Sequence, residues 1–165
     1  GGGLASGVAV AAKALTDGRI KVFAAEPRGK DSKPSAADAA ASKEKGEIVK
    51  SLPAPETVAD GLRGQLGSLT FPIVRNLVDA IIVVTEKEII DATRLVMERV
   101  KVVVEPSGAA ALAAVLSPEF AKAIDGGGGS GSKKAERVGI VLSGGNVDLE
   151  PLFAEMMKSS GCKNK

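Results

Sequence analysis

Three consecutive glycines, Gly1-Gly2-Gly3, run straight into a segment with helically spaced apolar residues, and this junction constrains the fold more than any other feature. Leu4, Val8, Ala11, Ala12 and Leu15 share one face of a helix that Asp17 and Gly18 stop. Residues 21–25 (KVFAA) then read as a short strand. Glycine loop, helix and strand in that order form a piece of a βαβ unit, and such loops ordinarily follow a strand. No strand precedes Gly1 and no Met opens the chain, so a fragment of a longer protein is the expectation.

Further along, the alternation continues. Residues 28–47, rich in Lys, Ala, Ser and Asp, read as a surface loop ending in a short helical turn, and residues 52–67 are interrupted by Pro53, Pro55, Gly61, Gly64 and Gly67. Pro72 suits the opening of a helix carrying Ile73, Val74, Leu77 and Val78. The β-branched run 81–84 (IIVV) reads as a buried strand. Thr85 with Glu88 three residues on is a capping box, and Ile89, Ala92 and Val96 line the inner face of the helix it opens. Pro106 starts a helix of very small residues. Residues 126–134 (GGGGSGSKK) read as a flexible insertion, residues 138–142 as a core strand, and residues 149–157 as the last helix. The class is α/β with a mainly parallel sheet and flanking helices.

Several functions are excluded by what the chain lacks. With no His among 165 residues there is no Ser-His-Asp or Cys-His nucleophile and no His-ligated zinc. The single Cys162 sits in a polar tail, so no disulfide frame exists. A net charge of +2, with Lys and Arg interspersed among acids, gives no basic stripe and argues against a nucleic-acid partner. No apolar run approaches the ~20 residues needed to cross a bilayer, and no signal peptide is visible, so the expectation is no membrane partner and a cytoplasmic location.

Three segments carry chemistry. Main-chain N–H groups of Gly1, Gly2, Gly3 and Leu4 can converge on an anion at a helix N-terminus, for which phosphate is the natural guest; the plainer reading is a glycine turn. The dinucleotide pattern G-x-G-x-x-G fails because its last position falls on Ser6, and no Gly-Lys-Ser/Thr exists for a P-loop. Ser143-Gly144-Gly145-Asn146 follows an apolar run, where open α/β sheets bind ligands, although an ordinary strand-to-helix turn would look the same. Glu105-Pro106-Ser107-Gly108 opens the small-residue helix, where the carboxylate lines a site or merely caps the helix.

In order and spacing these segments resemble the serine racemase and serine/threonine dehydratase family, which are fold-type II pyridoxal-phosphate (PLP) enzymes of tryptophan synthase β-like fold. The resemblance extends over Ala24-Ala25-Glu26-Pro27, Thr57-Val58-Ala59-Asp60-Gly61-Leu62, Pro72-Ile73-Val74-Arg75 and Val141-Leu142-Ser143-Gly144-Gly145-Asn146-Val147-Asp148-Leu149. It implies that residues 1–158 are the C-terminal part of the catalytic domain, incomplete, with insertions near 30–35 and 126–134 and a polar tail at 159–165. It further implies that the amides of Gly1, Gly2, Gly3 and Leu4 hold the cofactor phosphate. Ser143 would hydrogen-bond the pyridine nitrogen, and Gly61 and Glu105 would line the cofactor. A Mg²⁺ or Ca²⁺ ion would be held by Glu26, the Ala36 carbonyl and Asp38, with Asp31 as the alternative to Asp38 and Ser32 in its place if there is no insertion. Lys101 and Asn146 match contacts of an ATP activator. The substrate would be serine or threonine, the full-length form a homodimer, and the cofactor-linking lysine would lie upstream, so the chain alone is expected to be inactive. A non-catalytic remnant and a generic phosphate- or nucleotide-binding domain stay open beside this reading.

Overall fold

The computed structural model describes residues 1–30, 36–50, 55–125 and 137–159. Two strands, β1 (Phe23–Pro27) and β2 (Ala80–Val84), pair in parallel with Phe23 opposite Ala80 and Pro27 opposite Val84. Side chains alternate across this sheet as strand geometry requires. Phe23, Ala25, Ile82 and Val84 face one apolar cluster, and Ala24 and Ile81 face another. The α/β expectation holds: both faces of the parallel pair are covered by helices.

The first face carries α4 (Glu86–Leu95) and α5 (Pro106–Leu116), continued by α6 (Pro118–Asp125). Ile89, Ala92 and Val96 turn inward as their spacing indicates and meet Ala109, Ala110, Ala113 and Ala114 of α5. Small side chains on α5 bring its backbone close to the strands. Phe120 of α6 closes the cluster with its ring edge-on to Phe23 at 5.1 Å. On the opposite face α1 (Gly3–Leu15) and α3 (Phe71–Leu77) bury Ala9, Val74 and Val78 together with Val22 and Leu66. Asp79 locks this side, since its carboxylate accepts from Lys13 Nζ at 2.8 Å and from the Val22 N–H at 2.7 Å. A third cluster joins α4 to α7 (Leu149–Ser159) through Ile90, Leu152 and Met156.

Four expectations need correction. Strand β1 starts two residues later than the apolar run, because pairing with residues 80–84 sets its ends. The buried residues of α1 are Ser6 and Ala9, while Leu4 and Leu15 are 58% and 84% exposed. The helix lies on its small residues and its leucines point away. Residues 28–47 are not simply surface loop: α2 (Asp38–Lys45) buries Asp38 and Ser42, next to buried Ala36 and Ala37. Residues 138–142 form no strand. They gain no ladder partner among the described residues, and Val138, Ile140, Val141 and Leu142 stay 37–49% exposed. A β-branched run becomes a strand only where a neighbour supplies its hydrogen bonds. The expected insertions and tail, with Asp31, Ser32 and Cys162, lie outside the described residues apart from Lys30 and Ser159.

Candidate cofactor site

Two clusters of expected site residues form, joined by residues 59–67. At the first, the opening glycines sit on that connecting segment. The Gly1 carbonyl accepts from the Gly67 N–H at 3.4 Å and from the Thr70 hydroxyl, and the Gly1 amine lies 3.4 Å from the Gly64 carbonyl. Gly2 is left-handed, with φ of 74°, and a Cβ there would stand 2.6 Å from a Leu66 methyl. Only glycine fits that position. No side chain caps α1, and the space beside Gly1 and Gly3 is open, so the first-turn amides keep their donors available for an anion.

Behind this loop lie the expected metal residues. The Glu26 carboxylate leaves the end of β1 and accepts from Ala39 N–H at 3.0 Å and Ala40 N–H at 2.9 Å, in the first turn of α2. Burial pushes its pKa up to about 7; those two amides act against the shift, the neighbouring Asp38 carboxylate adds to it, and the Gly1 amine offsets part of it. Asp38 accepts from the Leu66 N–H at 2.7 Å, and Leu66 is the residue under Gly2. Ala36 is buried alongside. The acidic pair is thus coupled mechanically to the glycine loop. Burial disfavours the charged form of Glu26 beside Asp38, and a hard cation there would favour it.

The second cluster gathers Gly61, Glu105 and residues 143–145. The Gly61 N–H donates to Ser107 Oγ at 3.0 Å, and a Cβ on Gly61 would come within 3.7 Å of the Glu105 carboxylate. Glu105 N–H donates to the Gly144 carbonyl at 3.3 Å. Gly144 has φ of 84°, and a Cβ there would reach within 2.5 Å of the Glu105 carboxylate, so this turn also demands glycine. Gly145 lies close to the Val103 carbonyl, which brings exposed Asn146 near the segment that starts at Lys101, itself left-handed and exposed with its amine on the Glu98 carbonyl. Gly61, of the second cluster, and Gly64, of the first, are three residues apart, so the chain separates them by at most about 11 Å.

Sequence reasoning missed the supports: Gly64, Leu66, Gly67 and Thr70 under the loop. The three-residue spacing of Gly61, Gly64 and Gly67 was legible, but it reads equally as a set of structure breakers.

The family described as pyridoxal-phosphate dependent enzyme matches residues 1–144, and the chain belongs to it. Among its relatives, a serine racemase of Oryza sativa subsp. indica is 49% identical over 158 residues, 96% of this chain and 42% of that protein. A solved maize serine racemase superposes with a TM-score of 0.78 at 48% identity, covering 98% of this chain and 45% of the other. A solved threonine deaminase from T.th. gives a TM-score of 0.74 at 40% identity, covering 90% of this chain and 47% of the other. The chain therefore spans less than half the length of these relatives.

Proposed function

We propose that this chain forms the phosphate-gripping and ring-facing side of a PLP site in an enzyme that takes the α-proton from serine or threonine. The observation that carries it is the pair of clusters joined through residues 61–64, in a chain of this family. Amides of Gly1, Gly2, Gly3 and Leu4 bind the phosphate with help from the α1 dipole. The Ser143 hydroxyl meets the pyridine nitrogen, with Gly61 and Glu105 beside the ring. When bound, PLP supplies the electron sink that acidifies the substrate's α-carbon. A hydroxyl partner, unlike a carboxylate, does not force the ring nitrogen to stay protonated. Return of the proton on the opposite face gives D-serine, and loss of the β-hydroxyl gives pyruvate or oxobutanoate with ammonia. The names of the relatives favour the racemase reading, with the dehydratase outcome beside it.

In the same proposal Glu26, the Ala36 carbonyl and Asp38 hold Mg²⁺ or Ca²⁺ behind the phosphate loop. Lys101 and Asn146 form part of an ATP-type activator site, and the full-length enzyme is a homodimer. In the same proposal no residue of this chain links the cofactor, and the chain alone is inactive while retaining affinity for PLP.

Calorimetric titrations and thermal melts with PLP, pyridoxal and ATP, followed by assays for D-serine and pyruvate, test the proposal. Saturable PLP binding that exceeds both competitors, without turnover, supports it. Protection by ATP alone favours a generic nucleotide-binding domain, and turnover of L-serine by the chain alone contradicts the inactive reading.

A further inference from the structure

We infer that Ser107 is a positioning residue that sets the width of the ring slot, working with Gly108; this rests on the PLP reading above. Both sit in the first turn of α5 and neither needs to touch the cofactor. Ser107 Oγ accepts the Gly61 N–H at 3.0 Å, 46 residues away in sequence, and so fastens the three-residue 3-10 turn at Asp60–Leu62 to α5. From the other side, the Ser143 main chain rests directly on Gly108, where a Cβ would overlap the Ser143 carbonyl oxygen. The Glu105 N–H to Gly144 carbonyl bond fixes the same turn one residue on. One helical turn therefore holds both walls of the slot, Gly61 by a side-chain hydrogen bond and Ser143 by close backbone approach.

Gly61 N–H has a second acceptor in its neighbour's carboxylate, Asp60 Oδ1 at 2.8 Å. Loss of the Ser107 hydroxyl therefore leaves no bare donor, and the fold does not depend on it. What disappears is the link between the two elements. Replacement of Ser107 thus separates positioning from folding.

The test is a PLP titration of the chain, read by circular dichroism in the ring absorption band and by ³¹P NMR, beside thermal melts. In S107A the Kd for PLP should rise about 3- to 10-fold, the value of one ordinary hydrogen bond. Ring dichroism should fall while the bound ³¹P shift and the Tm stay put, and S107T should restore the ring signal. G108A should displace Ser143 and lose ring dichroism with the phosphate signal kept. If wild-type chain shows neither signal with PLP, the cofactor reading itself fails. If wild type binds and S107A matches it in Kd and dichroism, the Ser107 inference fails and the cofactor reading stands. Parallel loss of both signals and of Tm in S107A, unrescued by S107T, would overturn it in favour of a purely structural role.

Discussion

Burial holds the Glu26 carboxyl near 7, although two amides of α2 act to lower it. The folded value exceeds the ordinary 4.5, so the folded chain binds a proton more tightly than the unfolded chain. Its contribution is fully favourable below about pH 4.5 and is lost as pH rises through 7, by about 3 kcal/mol in all. Urea unfolding at pH 5 and pH 8 should show this loss in wild type and a smaller one in E26Q. Added Mg²⁺ or Ca²⁺ should restore stability at pH 8 in wild type and not in E26Q. Ser6 offers a second check. Its hydroxyl is buried in α1 without a hydrogen-bond partner, so S6A should stabilise by about 1 kcal/mol in the same unfolding assay.

Among the elements, those specified by local chemistry are the most legible. Thr85 and Glu88 form the full capping box, with Thr85 N–H on Glu88 Oε2 at 2.7 Å and Glu88 N–H on the Thr85 hydroxyl at 3.3 Å. T85A should cost about 1 kcal/mol by chemical denaturation, because it leaves a first-turn amide unpaired. Helix α6, absent from the sequence reading, carries an equally local signal. Ser117 precedes Pro118 and accepts the Phe120 N–H at 3.2 Å, an ordinary helix opening. Residues 138–142 depart from expectation for a different reason: their apolar pattern is that of a strand, but pairing depends on a neighbour that no local pattern reveals. The face of α1 departs similarly. Side-chain size points to Leu4 and Leu15, whereas close packing against α3 and Leu66 selects Ser6 and Ala9.

At the scale of the molecule, the α/β class and the family follow from motifs spread along the chain, each weak alone and specific in combination. What motifs cannot supply is the connection between them. Residues 61–67 carry it, because Gly61 meets the Glu105–Gly108 turn while Gly64 and Gly67 hold Gly1. The candidate metal pair reaches the same segment through Asp38 and Leu66. The opening glycines, the acidic pair and the Gly61–Gly144 cluster are thus mounted on one stretch of backbone. A ligand long enough to reach both ends should therefore move both together.

Backbone amide NMR during a PLP titration tests that arrangement most directly. Gly2, Gly3 and Leu4 should shift together with Gly61, Ser143 and Gly144 along one binding isotherm, while inorganic phosphate should move only the first three. Shifts confined to one cluster under PLP, or two clusters titrating with different midpoints, would contradict a single cofactor bridging them.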